Sequence, residues 1–472
     1  CIMCYFNSNF MALSSYALDS TKKEDLLDQY LQETLCQMMD EYHKNQTPID
    51  IDFRKLIHWL RAGDQLTHQI HPYPAKLLPH IAYFFLKAHK NLTQKLVLDP
   101  FCGSGTVALE ASIHGFLPLV ADANPLALLL TKVKTTPYCI EKLIRIKEKI
   151  SYKYIRYKVA PTIDIVNPDL WYLPEHKKQL EILLRTIEEI VDQEEKAFFK
   201  ICFSSLTKKV SFADPAISVP VRLKTKEKFS PTINARINKR LDWIKSANII
   251  QEFNIIVDAN IERVIETNNK YPNRSTAKQV GIDARSLFTN LNDSIPMPDN
   301  SVPLVITSPP YGSAQKYVRA SSLSLNWLEL ASPKELRSLE EKSIGREHLR
   351  KTPLHLEESN LPEDYVQLLK KIAHKNELRA RITQKYLIEM SQVVDEIARV
   401  TAPNGRVIFV LGNNQVCGET LRNDRFIIEC FQKHHLKLKL ILIDDIKSRG
   451  LMTKRNRTAS VISRETVLVF EK

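Results

Sequence analysis

Two short strings, far apart in the chain, carry the residue types that could do chemistry: Asp99-Pro100-Phe101-Cys102-Gly103-Ser104-Gly105-Thr106 and Ser308-Pro309-Pro310-Tyr311. The first ends an apolar run, Lys95 to Asp99, and opens a helical run with Gly-x-Gly. Glycines there let the backbone approach a ligand, and the free amides of a helix start face it. A nucleotide-like ligand fits such a turn, with Asp99, Phe101, Gly103, Gly105 and Thr106 as its binding residues. No Gly-Lys-Ser/Thr follows, which disfavours a triphosphate loop, and the full G-x-G-x-x-G of dinucleotide enzymes is missing. An ordinary strand-to-helix turn has the same outline. The second string follows the apolar run Val302 to Ile306, and its prolines make a rigid edge at a strand end. Outside such a context it would read as a proline-rich turn or a ligand for a small recognition module.

Two acids stand at comparable places. In Val120-Ala121-Asp122-Ala123-Asn124-Pro125, Asp122 sits at the tip of the next apolar run. An acid there can accept hydrogen bonds from two ribose hydroxyls, with Asn124 as the second candidate. A helix cap is the other use of such a residue. Gly281-Ile282-Asp283-Ala284-Arg285 ends a third run, where Asp283 is a ligand group or a turn residue.

These residues need elements to hold them. Lys95 to Asp99 and Leu117 to Ala121 read as strands, and Thr106 to His114 and Pro125 to Lys134 as helices. Such alternation predicts a parallel sheet with crossover helices. Residues 12 to 62 read as helical. From about 140 to 278 the alternation stops, and charged amphipathic patterns predict an inserted, mainly helical region. It resumes with Gln279 to Ala284, Val302 to Ile306, a helix from about 380 to 400 and the strand Arg406 to Leu411. Ala402-Pro403-Asn404-Gly405 is the expected turn before that strand. Two last strands, Lys437 to Ile443 and Thr466 to Phe470, enclose a loop carrying Lys447, Arg449, Lys454, Arg455 and Arg457. The predicted division is an N-terminal extension over 1–62, a cofactor half over 63–139, the insertion over 140–278 and a catalytic half over 279–472. The chain has only 11 glycines, so each is expected to answer a backbone need.

An apolar share of 44% over 472 residues is enough for a sizeable core. No run approaches the ~18 apolar residues that span a bilayer. The expectation is a soluble cytoplasmic protein without a membrane partner. The chain opens on Cys1, and Met11 offers an alternative start that would leave the first ten residues outside the native protein. Eight cysteines form no disulfide framework, and Cys1-x-x-Cys4 lacks a second pair, so no metal site is expected. Lys and Arg outnumber Asp and Glu by 67 to 54, a net charge of +13 that suits a polyanion. Between Phe203 and Arg240, nine cations (Lys208, Lys209, Arg222, Lys224, Lys226, Lys228, Arg236, Lys239, Arg240) face two acids, Asp214 and Glu227. That segment is a solvated loop or a phosphate-contacting surface.

The two strings, in this order and each behind an apolar strand, resemble the signature of amino-group DNA methyltransferases, which move a methyl from S-adenosylmethionine to the exocyclic amine of cytosine or adenine. The likeness covers roughly 65 to 135 and 279 to 472. It implies an α/β, Rossmann-like methyltransferase fold, with a mostly parallel sheet, an antiparallel last strand and the helical insertion. It also implies that His68-Gln69-Ile70-His71-Pro72-Tyr73-Pro74-Ala75-Lys76 closes over the methionine end of the cofactor, with Tyr73 and Lys76 as contacts, and that Asp283 meets the adenine amine. Ser308 and the Pro309 carbonyl would accept the two amine hydrogens, Pro310 would stiffen the edge, and Tyr311 would stack on a flipped-out base. No acid or histidine is evident as a neighbour activating Ser308.

A serine at the first position of the string is associated in that family with N4-cytosine, and Asp or Asn with N6-adenine. Tyr317, Ser321 to Leu330, Ile344-Gly345-Arg346 and the terminal stretch from Arg449 to Glu465 also resemble the N4-cytosine subgroup. Double-stranded DNA is the implied partner, and a paired restriction endonuclease a second one. The alternatives are an N6-adenine enzyme, an RNA guanine methyltransferase, for which Gly312 after the aromatic residue speaks, and a non-catalytic nucleic-acid-binding protein on the same fold. The insertion is the first candidate for reading DNA, followed by 331 to 380 and the C-terminal basic loop.

Overall fold

The computed structural model describes residues 20–60, 65–74, 76–312, 317–346, 349, 360–446 and 463–472. Eight strands form one sheet: β1 Ile49–Ile51, β2 Leu96–Asp99, β3 Leu117–Ala121, β4 Lys278–Gly281, β5 Val302–Thr307, β6 Thr401–Leu411, β7 Lys437–Asp445 and β8 Arg464–Glu471. Their order is β1-β7-β8-β6-β5-β2-β3-β4. Every neighbouring pair is parallel except the two made by β8, which runs antiparallel to β7 and β6. The expected Rossmann-like methyltransferase fold, with its antiparallel last strand, is present.

The helices are α1 Ser20–Asn45, α2 Pro79–Ala88, α3 Thr106–Ile113, α4 Pro125–Thr135, α5 Ile140–Arg156, α6 Pro174–Glu188, α7 Gln193–Lys209, α8 Pro231–Ser246, α9 Ile249–Lys270, α10 Tyr317–Trp327, α11 Leu336–Lys342, α12 Glu363–Lys375, α13 Glu377–Val400 and α14 Asn423–Lys433. Helices cover both sheet faces, so the strands are apolar on both sides. Alternation along each strand divides them. Val97, Leu304, Ile306, Ile408, Val410, Val467 and Val469 face α1 and α2. Leu98, Val305, Val407, Phe409, Leu468 and Phe470 face α12, α13 and α14.

Helices α5 to α9 fill the long connection between β3 and β4, as the insertion was expected to do. Their inner faces share one continuous core with the cofactor side of the fold: Phe198, Phe199, Phe203 and Phe253 join Leu126, Leu130 and Val133 of α4 and Leu323, Leu325 and Trp327 of α10. Trp327 is fully buried and meets Phe203 and Tyr172 edge-on, at 5.6 and 5.4 Å between centroids. Truncating such a residue to alanine costs about 3–5 kcal/mol. The insertion is thereby anchored to the helix that follows the Ser308 string.

Two expectations are corrected. Residues 12 to 62 are not all helical: Ile49-Asp50-Ile51 pairs in parallel with Leu442 to Asp444, because its alternating side chains suit the open edge of the sheet. Ala402-Pro403-Asn404-Gly405 does not precede a strand but lies within β6, which begins at Thr401 opposite Val302. Asn404, at φ +59°, and a register shift between Val302 and Leu304 absorb the kink. Cys1, Cys4, Met11 and the basic loop from Lys447 to Arg457 lie outside the described residues. No helix among the described residues is long and apolar enough to cross a membrane.

Candidate active site

Strands β2, β3, β4 and β5 run in parallel and end on one edge of the sheet, at Asp99, Ala121, Gly281 and Thr307. Strand order reverses between β2 and β5, the place where open α/β sheets leave a crevice. A cleft opens there. Tyr73, Phe101, Gly103, Asp122, Asn124, Asp283, Ser308 and Pro310 line it, together with Pro100, Ala123, Ala284, Tyr317, Lys342, Ser343 and Ile344. Of the residues singled out in the sequence, Lys76, Asp99, Gly105, Thr106, Pro309 and Tyr311 do not line the cleft.

Gly103 has φ +46°, and a Cβ there would meet nothing nearer than the Tyr73 ring at 3.7 Å. Its amide donates to Asp122 Oδ2 at 2.9 Å, while Asp122 Oδ1 accepts from the Asn124 amide at 2.8 Å. Asp122 thus ties the tip of β3 to the turn after β2, and burial raises its carboxyl to about 6. Asn124 caps α4 through the Leu126 amide and donates to Tyr73 Oη and Ser321 Oγ, each at 3.1 Å. One side chain therefore joins the segment before β2, the start of α4 and α10.

The residues outside the cleft have other work. Asp99 is buried, and its Oδ1 accepts from the Phe101 amide at 3.1 Å and the Thr307 hydroxyl at 2.7 Å. Burial raises its carboxyl to about 7. Gly105, at φ +72°, leaves no room for a Cβ, which would lie 2.8 Å from Thr131 Oγ1 and 3.0 Å from Thr131 Cα. Its need for glycine comes from close packing of the turn on α4. Lys134, fully buried and held well below the usual lysine range by burial, donates to the Ser104 carbonyl at 2.6 Å. The Thr106 hydroxyl lies 3.0 Å from Ser104 Oγ, and Lys76 donates to the His68 carbonyl at 3.3 Å.

On the third strand end, Asp283 is gripped by Arg285, whose Nε lies 2.9 and 3.1 Å from its two oxygens. Burial opposes the charged form of Asp283, but the Arg285 bonds outweigh it and the net shift is downward. Arg285 continues to Glu389, which Arg346 also reaches.

The Ser308 string is clamped at several points. Pro310 O accepts from Tyr386 Oη and Gly312 O from Asn414 Nδ2, both at 3.1 Å. Ser308 Oγ lies 3.2 Å from Tyr311 Oη, which donates to Glu465 Oε1 at 3.0 Å. Ser308 has no acid as a direct partner among the described residues, but Glu465 lies one hydroxyl away, brought there by the antiparallel return of β8. In the sequence it is an acid opening an apolar strand, at the end of the Arg449 to Glu465 stretch, with nothing to name Tyr311 as its partner. Tyr386, Lys342 and Ser343 were also missed, being helix and loop residues without a motif.

The cleft has a polar end at Asp122 and Asn124 and apolar walls at Phe101 and Ile344.

A family model described as RMKL-like, methyltransferase domain, matches residues 69–177, which contain the Gly103 turn and Asp122. Among curated proteins, the chain is 26% identical over 432 residues to the type II methyltransferase M.MvaI of Kocuria varians, covering 86% of this chain and 90% of the relative. It is 20% identical over 459 residues to the type II methyltransferase M.BsoBI of Geobacillus stearothermophilus, covering 89% and 88%. A shorter match, 38% over 79 residues, joins it to the type II methyltransferase M.MjaII of Methanocaldococcus jannaschii, over 17% of this chain and 15% of that one. Along most of its length the chain is similar to type II DNA methyltransferases. Its cofactor is S-adenosylmethionine.

Proposed function

We propose that this methyltransferase modifies DNA at specific sites, transferring a methyl to the N4 amine of cytosine in a pocket edged by Ser308-Pro309-Pro310-Tyr311. The observation that carries this reading is that Ser308 and Pro310 share one cleft with Gly103, Asp122 and Asn124. A nucleoside-binding end and an amine-accepting edge thus open on the same space.

Bound S-adenosylmethionine supplies an electrophilic methyl on a sulfonium. Asp122 would hold the ribose, Gly103 would admit the backbone close to the ligand, Tyr73 would cover it, and Asp283 would face the adenine amine. Ser308 Oγ and the Pro309 carbonyl would accept the two hydrogens of the target amine. Its lone pair, otherwise delocalised into the base, then turns toward the methyl. Most of the acceleration would come from holding amine and methyl in line. Serine at the first position of the string favours cytosine over adenine, by resemblance to the N4-cytosine subgroup.

Lys224, Lys226, Lys228, Arg236 and Lys239 are exposed on the insertion and are the proposed phosphate contacts. Other cations of that segment are taken up internally: Lys209 pairs with Glu252 at 2.6 Å, and Arg240 bonds the Lys209 carbonyl and covers Trp243. The type II names of the relatives favour a paired restriction endonuclease as partner.

Incubation with labelled S-adenosylmethionine and duplex DNA or total RNA, digestion to nucleosides and mass spectrometry test this reading. N4-methylcytosine from DNA is expected. N6-methyladenine would overturn the serine argument alone, and label only in RNA would overturn the DNA assignment.

A further inference from the structure

We infer, resting on the methyltransferase reading above, that Glu465 is a positioning residue that acts through Tyr311 to fix the direction of the Ser308 hydroxyl. Tyr311 has a single hydroxyl proton. Its oxygen stands 3.0 Å from Glu465 Oε1 and 3.2 Å from Ser308 Oγ. A carboxylate only accepts, so that proton goes to Glu465, and the tyrosine oxygen is left to accept from Ser308. The serine proton is thereby committed away from the cleft, and Ser308 Oγ presents lone pairs to an amine hydrogen. Serine, unlike the Asp or Asn found in related strings, needs such a device because its hydroxyl can donate as well as accept.

The polarity depends on the carboxylate. A protonated Glu465 can donate to Tyr311, which can then donate to Ser308, freeing the serine hydrogen to face the amine. Charged groups on three elements lie near that carboxylate. Arg54, in the short turn of helix Phe53–Leu56 beside β1, favours the ionised form. Asp444 stands opposite Glu465 in the β7–β8 register. The neighbouring Arg464 is held by Asp445 at 2.8 Å. Burial raises the Glu465 carboxyl above its ordinary value, against the pull of Tyr311 and Arg54. Methyl transfer should therefore rise with pH along an acidic limb lying above the ordinary carboxylate range.

Single-turnover transfer from labelled S-adenosylmethionine to unmethylated genomic DNA tests this on the full chain, with cofactor affinity measured by calorimetry. Glu465→Gln should slow transfer about 10-fold or more and leave cofactor affinity unchanged, on the scale of a misdirected transition-state contact. With cofactor saturating at every pH, it should also abolish the acidic limb. In a Ser308→Ala background the same substitution should cost about twofold or less, because both changes act on one group. Tyr311→Phe breaks the chain without touching the carboxylate and should show the same loss of rate and limb, which covers the case of a Glu465→Gln chain that does not fold. A wild-type rate and limb in either variant, or an undiminished Glu465→Gln effect in the Ser308→Ala background, would overturn the role of Glu465 alone. A wild-type chain that binds cofactor but moves no label to DNA would overturn the DNA reading and this inference together.

Discussion

Thr307 and Asp99 stand at the ends of neighbouring parallel strands, and the Thr307 hydroxyl donates to the buried Asp99 carboxylate at 2.7 Å. Asp99 opens the Gly103 turn and Thr307 immediately precedes Ser308. This single bond therefore couples the position of the cofactor turn to that of the amine-accepting edge. Thr307→Val keeps the shape and removes the donor. We expect a loss of about 1–3 kcal/mol in stability from weakened satisfaction of a buried carboxylate. Single-turnover transfer should fall more than cofactor affinity, and calorimetry beside rapid-quench kinetics would separate the two.

Asp99 also makes a prediction about pH. Its folded carboxyl lies at about 7 against a usual value of 3.8, so the folded state holds a proton that the unfolded chain has released. The sign is that of a destabilising charge: no penalty below the unfolded value, a growing one from there to about 7, and the full penalty above it. Asn keeps an oxygen for both Thr307 and the Phe101 amide. Asp99→Asn should be more stable than wild type at pH 8, by about 4 kcal/mol, and nearly equal to it near pH 4. Thermal melts of the cofactor-free chain across that range check the crossover.

Asp122 carries the complementary expectation for binding. With its carboxyl raised to about 6, it is protonated in mild acid and ionised at neutral pH. Ribose hydroxyls donate to the ionised form, and the cationic sulfonium favours it further. S-adenosylmethionine affinity should rise with pH through about 6 and level off above it. Asp122→Ala should lose that dependence and roughly 100-fold in affinity, on the scale of two charge-assisted hydrogen bonds. Calorimetry at several pH values would show both.

Gly105→Ala tests the division of labour between the two glycines. The added methyl would lie 2.8 Å from Thr131 Oγ1 and 3.0 Å from Thr131 Cα, in a left-handed backbone that alanine resists. We expect about 2–4 kcal/mol of destabilisation from overpacking and strain together. Thr131→Ala should not rescue it, since the clash with Cα remains. Gly103→Ala meets no such wall and shares only the left-handed strain, so its melting temperature should fall less than that of Gly105→Ala and its cofactor affinity more.

The exposed cations of the insertion predict a salt effect. Replacing Lys224, Lys226 and Lys228 with glutamine should weaken DNA binding across sequences and flatten its dependence on salt, by about 0.9 in the log–log slope for each phosphate no longer neutralised. Site preference should be unchanged. Fluorescence anisotropy at several salt concentrations, with cognate and random duplexes, reads both.

The elements that form the cleft were legible in the sequence because they are local. A strand ending in Asp99, two glycines in left-handed backbone and a proline-stiffened string after Val302 to Thr307 are settled by short-range sterics. The alternation of strand and helix announced the parallel sheet, and its break announced the insertion. The division of roles among those residues was not legible. Asp99 and Gly105 carry the same motif as Gly103, yet one points to Thr307 and the other packs against Thr131, contacts that exist only once β5 and α4 lie beside β2. Glu465 ends a stretch singled out by resemblance, but nothing in that stretch names its partner. It meets Tyr311 because β8 runs back between β6 and β7, and only the order of strands in the folded sheet brings that carboxylate to the serine it polarises. Local stiffness is written in neighbouring residues, whereas the partner of a buried polar atom is chosen by whichever distant element the core packs against it.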